Sequence, residues 1–311
     1  MTTTLDEATR PETIPRRRPG GRRDAESGSA MSYGFIAIYA ILTIAFGVLP
    51  ALYAFYLAFT DENGGFAGLT NFTKVIRDFR FLPAVGHVAL YLVIWLAALV
   101  VFVTLLAIAV HAIRLRWLSS TLRLVFYLPG ALAGASSVLL WLFLLDPTAS
   151  PVGGLLRALG LASFVEVIVP GHLPPIFAII AFWTGAGGWI VIMYGALNNI
   201  SSEVIEAARI DGAGPVQIAW RIQLPLLRKW ISYMGIMSLA AGTQLFVEPQ
   251  LLSQASNAVV PNDYSLNQLA YQYAFQQNDF HGAAAISLLL LVIALALSAV
   301  FVTRGGLFES D

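Results

Sequence analysis

The stretch Glu203-Val-Ile-Glu-Ala-Ala-Arg-Ile-Asp-Gly-Ala-Gly-Pro-Val-Gln-Ile-Ala-Trp-Arg-Ile-Gln-Leu-Pro225 is a polar interruption between two long apolar runs. Glu203 to Ile210 are helix-forming residues. Ser201 or Ser202 stands ahead of them as an N-cap, and Glu203 places an acid in the first turn, where unpaired N–H groups favour it. Gly212 and Gly214 are suited to end that helix, and Pro215, with its fixed φ and missing N–H, to open another. The spacing predicts a short helix, a sharp turn and a second helix that ends where Pro225 leads into the next apolar run.

Both flanks of this interruption belong to a wider pattern. Hydrophobic residues make up 58% of the 311-residue chain and charged residues only 12%, against about 25% charged in ordinary soluble domains. A helix needs about 20 apolar residues to cross a hydrocarbon layer about 30 Å thick. Six segments meet or approach that length: 33–59, 84–113, 123–145, 175–197, 230–252 and 282–302. The third contains Pro129, Gly130 and Gly134, and the fourth Gly185, Gly187 and Gly188, which makes these two the least uniform. The expected fold is an all-α membrane protein with six transmembrane helices. Residues 31–311 form the membrane domain, and the Arg- and Pro-rich residues 1–30 form a disordered cytosolic tail.

Basic residues orient the spans, because cytoplasmic loops carry the excess of Lys and Arg. With both termini inside, the inner side holds six tail arginines and Arg114, Arg116, Arg123, Arg209, Arg221, Arg228, Lys229 and Arg304; the outer side holds Lys74, Arg77, Arg80 and Arg157. The chain therefore reads as a multi-pass protein of the cytoplasmic membrane with both ends cytosolic. Its outer loops are 60–83, 146–174 with a short helix over 153–160, and 253–278.

Glu206-Ala207-Ala208, then Gly212, then Ile222, Leu224 and Pro225, resembles the EAA loop of permease subunits from binding-protein-dependent ABC importers. Gly65-Phe-Ala-Gly-Leu-Thr-Asn-Phe72, Leu128-Pro129, Trp183-Thr-Gly185, Gly195-Ala-Leu197, Tyr273-Ala-Phe275 and Gly282-Ala-Ala-Ala285 extend the likeness to the carbohydrate branch, as in maltose, lactose and glycerol-3-phosphate importers. Two departures are Ile200-Ser201, where the family has Ile-Pro, and Ser253-Gln-Ala-Ser-Asn257, where it has Thr-x-Gly-Gly-Pro. The second leaves the solute open.

The resemblance implies a type I ABC importer permease fold. It also implies that 203–225 is a coupling loop seated on a dimer of separate ATPase subunits. Glu206, Ala207, Ala208, Arg209, Asp211, Gly212, Ile222 and Pro225 are the positions that carry this role. The two alanines allow close approach, Glu206 faces basic groups of the partner, and Arg209 and Asp211 brace the turn. A second permease subunit and an extracytoplasmic solute-binding protein complete the implied assembly. ATP and Mg belong to the ATPase, since the chain has no Gly-x-x-x-x-Gly-Lys-Ser/Thr to cradle phosphates.

Polar side chains on spans face protein or a water-filled path. By helical spacing, Gly130, Gly134, Ser137 and Trp141 share a face of the third span. The fourth offers Trp183, Thr184, Gly185 and Gly188; the fifth offers Ser238, Gly242, Thr243, Gln244 and Glu248. Gly134, Gly185, Gly188, Ser238, Gly242 and Leu245 match positions where the resembled maltose permease touches sugar. Small residues also let membrane helices pack closely, which is the competing reading of each glycine and serine. Glu248 is the one acid well inside a span, to be used on the solute, in a structural pair between subunits, or nearer the surface.

The remaining composition excludes much. Zero net charge leaves no footprint for nucleic acid. Zero cysteines exclude disulfides and thiol chemistry. No catalytic constellation or metal motif is evident, and His87, His111, His172 and His281 fall near span ends as interfacial side chains. Two rivals remain. One is a permease for a non-carbohydrate solute such as a glycerophosphodiester. The other is an ion-coupled secondary transporter, which would leave the EAA pattern unexplained.

Overall fold

The computed structural model describes residues 33–34, 36–132, 134–256 and 259–304. The expected tail over 1–30 and Asn257 lie outside them. The described residues fall into two units that meet between Tyr53 and Ala54.

In the first unit, helix α1 (Ile36–Phe59, which runs on into the second unit) is long and apolar enough to cross a bilayer. No described residue up to Tyr53 is buried.

Among its described residues the second unit is helical, with a single β-bridge between Thr60 and Phe66. Its elements are α2 (Thr70–Ile76), α3 (Phe81–Ala112), α4 (Arg116–Ala131), α5 (Gly134–Leu145), α6 (Gly153–Ala158), α7 (Phe164–Val167), α8 (Leu173–Asn198), α9 (Ser202–Ile210), α10 (Pro215–Gly242), α11 (Val247–Ala255), α12 (Leu266–Phe275) and α13 (Phe280–Arg304). Among the described residues, α1, α3, α8 (from Pro170) and α13 (to Val300) are continuous helices of spanning length; α4 with α5, and α10 with α11, are bent pairs that bring the total to six if each pair is one span.

Two of the straight spans expected from sequence are thus broken. The third bends by 101° between α4 and α5. Pro129 lies in a final 3-10 turn, Leu128–Ala131, where a missing N–H suits the end of a helix. Gly130 therefore does not share a helix face with Gly134, Ser137 and Trp141. The fifth bends by 44° between Gly242 and Val247. Here the cause is Pro249, which cannot donate to the Leu245 carbonyl and would press its ring against it. The helix restarts at Val247, so Pro249 sits in a first turn, where no donor is needed. The fourth span stays unbroken through all three glycines.

Helix α8 is central to the larger core and packs against α3, α4, α5 and α10. Its crossing with α4 is a backbone contact: a Cβ on Gly187 would overlap the Phe126 carbonyl, and one on Gly130 would lie 2.8 Å from the Thr184 carbonyl oxygen. Glycine permits that approach, as small residues do between membrane helices. A second core joins α2, α12, α13 and the start of α3 around Leu266, Leu269 and Ala285.

Candidate functional site

The polar interruption folds from local rules. Ser201 is the N-cap of α9, its Oγ accepting from the Glu203 N–H at 3.2 Å. At the other end Gly212 takes φ +83°, a conformation that an L side chain resists. The Ala213 N–H donates to the Ala208 carbonyl at 2.9 Å and the Gly212 N–H to the Arg209 carbonyl at 3.0 Å, the paired bonds of a Schellman C-cap. Backbone, then, braces the turn. No side-chain bond or ion pair of Arg209 or Asp211 is present among the described residues, which corrects the brace expected from sequence.

Pro215 opens the next helix as expected, with Gly214 as N-cap. That helix does not end at Pro225. It continues through a π-helical turn, Ala219–Gln223, into the fifth span, so elbow and span are one piece. Pro225 cannot donate to the Arg221 carbonyl, and the Leu224 N–H instead reaches back five residues to Ala219. Glu206, Ala207, Arg209, Asp211 and Gly212 are exposed, Ala208 and Ile222 half-buried, and Ile210 is 86% exposed. Beneath α9 a cleft of about 250 Å³ is lined by residues that include His111, Asn198, Ser202, Glu206, Arg209 and Gln223.

The expected path residues divide by environment. Trp141 and Trp183 meet edge to face, centroids 5.9 Å apart. Gly134, Gly185 and Gly188 have nothing within 4 Å of an added Cβ, so their faces are open. Gly242 is a packing glycine, its Cβ direction 2.5 Å from Trp95 and Leu92 atoms. The Thr184 and Thr243 hydroxyls donate to carbonyls of their own helices, the usual recourse of mid-helix threonine. Among the described residues, Ser137 Oγ, Trp141 Nε1 and Ser238 Oγ are buried without a partner. Leu245 is buried and Gln244 exposed. Half-buried Glu248 lies in the first turn of α11, where a carboxylate suits the helix N-terminus. Among the described residues it pairs with no basic group.

Sequence reasoning missed Trp95, whose buried Nε1 also lacks a partner and whose ring stacks on Tyr91 at 5.6 Å. Its place in an uninterrupted apolar run hid it. It also missed a polar cluster on the segments 60–83 and 253–278. Arg80 Nη2 donates to Asp78 at 2.6 Å, Arg80 Nη1 to Gln272 at 2.8 Å, and the Tyr273 hydroxyl to Asp78 at 2.7 Å. The Arg80 guanidinium bonded to Asp78 holds that carboxyl well below the usual carboxylate range, and burial pushes the Tyr273 phenol up to about 12. His87, His172 and His281 each set Nδ1 against a backbone carbonyl, and no metal-binding group of three or more His, Asp or Glu side chains occurs among the described residues.

The family described as binding-protein-dependent transport system inner membrane component matches residues 104–305. The chain belongs to that family. As a permease of a binding-protein-dependent importer it is a multi-pass membrane protein. It is 30% identical to the multiple sugar-binding transport system permease protein MsmF of Streptococcus mutans, over 88% of this chain and 95% of that one. It is 30% identical to the diacetylchitobiose uptake system permease protein NgcF of Streptomyces coelicolor, over 97% and 91%. Identity to the sn-glycerol-3-phosphate permease protein UgpA of Escherichia coli is 27%, over 87% and 92%. The permease fold superposes on a chain of a bacterial ABC transporter that imports the acidic polysaccharide alginate, with TM-score 0.76 at 19% identity, covering 93% of this chain and 99% of that one.

Proposed function

We propose that this permease is one half of a two-chain translocation path for a sugar or oligosaccharide, driven by ATP hydrolysis on a separate ATPase dimer seated at the Glu203–Pro225 elbow. A solute-binding protein outside the membrane delivers the solute, ATP and Mg stay on the ATPase, and both termini are cytosolic. The observation that carries this reading is the elbow itself. Its turn is fixed by backbone bonds, its outer face presents Glu206, Ala207 and Ile210, and its second helix is continuous with the fifth span. A push on α9 therefore becomes a displacement of α10, as rigid-body switching between outward-open and inward-open states requires. The open glycine faces and the Trp141–Trp183 pair suit a sugar, whose ring packs on aromatic surface while its hydroxyls find polar partners.

The test is ATPase activity of the reconstituted complex with binding proteins loaded with neutral sugars or with a glycerophosphodiester. Stimulation by a sugar-loaded protein supports the reading. Stimulation by the phosphodiester alone transfers it to the non-carbohydrate rival, and solute movement by the purified chain with no ATPase bound overturns it. Gly212→Pro and Glu206→Lys should leave membrane insertion intact and abolish uptake; unchanged uptake in either would remove the elbow's lever role.

A further inference from the structure

Four aromatic rings form an unbroken row along the outer part of this chain. Phe246 lies 5.7 Å from Tyr271, Tyr271 4.9 Å from Phe275, and Phe275 6.4 Å from Phe280, centroid to centroid. The row begins in the bend of the fifth span, two residues before Glu248, and ends where α13 enters the membrane. Helix α12 carries its middle. The α12 first turn is held at the depth of the bend by Asn267, whose Nδ2 donates to the Thr243 carbonyl at 3.2 Å. A buried capping box of Ser265 and Gln268, with Gln268 donating to Gln250 on α11, fixes the same end. Tyr271 and Phe275 therefore stand on a rigid platform and not on a free loop.

The row borders a shallow hollow of about 460 Å³, whose lining includes Phe246, Tyr271 and Phe275 together with Gln244, Asn267 and Ser287. Tyr271 is 40% and Phe275 68% exposed. Among the described residues the exposed Gln244 amide has no side-chain partner. An aromatic belt at a membrane surface explains single rings around a span end. It does not explain a continuous row of rings leading to amides, which hydrocarbon would penalise. A row of tilted and edge-on rings beside the amides of Gln244 and Asn267 instead offers the two halves of carbohydrate recognition: apolar C–H faces of a pyranose lie on aromatic rings, and its hydroxyls bond amides.

We infer that Phe246, Tyr271, Phe275 and Phe280, with Gln244 and Asn267, form an outer saccharide subsite that receives a pyranose unit before it reaches the bend of the fifth span. This rests on the sugar-importer reading above. The subsite holds one ring of an oligosaccharide at a time, and the spacing of the rings lets the chain advance without leaving aromatic cover.

The experiment uses the reconstituted full complex and a diazirine-tagged form of whichever neutral disaccharide stimulates its ATPase. If no sugar stimulates, the importer reading fails and the subsite with it. If one does, label should fall on the segment 266–280 and be competed by the untagged sugar. Tyr271→Ala with Phe275→Ala should remove the label and lower solute imported per ATP about tenfold, since each aromatic contact contributes a few-fold. Tyr271→Phe should restore both, because the ring and not its hydroxyl does the work. Label confined to other segments, or uptake per ATP unchanged in the double variant, overturns the subsite alone. Loss of the second permease chain from the double variant, seen in the subunit composition of the purified complex, also overturns it, for the row would then be a subunit contact.

Discussion

Three glycines within four residues of one helix have different work to do. Gly187 is where α8 meets the backbone of α4 at Phe126, whereas Gly185 and Gly188 face open space. Gly187→Ala forces two main chains apart and should cost about 3 kcal/mol, the upper end for overpacking a tight contact. Gly185→Ala and Gly188→Ala should each stay within about 0.5 kcal/mol of the parent, as surface changes do. Thermal unfolding of the three variants in detergent checks the contrast; equal losses would mean the helices do not cross there. At Asp78 the argument is electrostatic. Its carboxyl is depressed by Arg80 and by the Tyr273 hydroxyl, so it adds stability above its unfolded-state pKa and loses it as pH falls toward the folded value. Asp78→Asn should be less stable than the parent at neutral pH, and the gap should close below about pH 4. Hydrogen exchange in α12 across that range reads it, and a gap that widened in acid would contradict the pairing.

At the scale of the element, the π turn at Ala219–Gln223 sits between the elbow and the span it moves. Such turns widen the helix locally and are frequent at functional sites. With Pro225→Ala the Arg221 carbonyl regains a donor, and α10 can revert to ordinary α-helical bonding. The expected result is slower amide exchange from 219 to 225 together with ATPase activity less responsive to solute. Unaltered stimulation would show that the turn only accommodates the proline. The same element shows what sequence could and could not give. Ser201, Gly212 and Pro215 act through bonds within a few residues, so their roles in the elbow were readable. The continuity of α10 was not, because a proline following a helix-like stretch ordinarily suggests a boundary, while here a π turn absorbs it. The bend before Val247 did have a local signal in Pro249, but the apolar run over 230–252 masked it. The fourth span, the less uniform for its three glycines, is a continuous helix in which Gly187 alone of the three is a contact surface and Gly185 and Gly188 face open space. Which face of each path residue is open depends on neighbours far away in the chain. That is why Gly242 resembled a lining residue until Trp95 was seen against it.

For the whole molecule the decisive constraint is the bilayer, since backbone groups in hydrocarbon must bond within their own helix. Four continuous crossings were legible for that reason, and two more where each bent pair is one span. The side on which each loop lies is a separate matter, fixed by charge. Leaving the tail aside, eight Lys and Arg fall on the elbow's side and four on the other when the spans alternate from a cytosolic N-terminus. Lys and Arg near span ends hold loops on the cytoplasmic face, so 203–225 should be inside and 60–83 and 146–174 outside. The absence of native cysteine makes the test clean. Asn63→Cys and Thr148→Cys, at exposed positions in outer loops, should react with a membrane-impermeant maleimide in intact cells. Glu203→Cys and Gln217→Cys, equally exposed, should react only after permeabilisation. The reverse pattern would put the elbow outside, beyond reach of any cytosolic ATPase, and no rearrangement of the helices could then let ATP hydrolysis act through it.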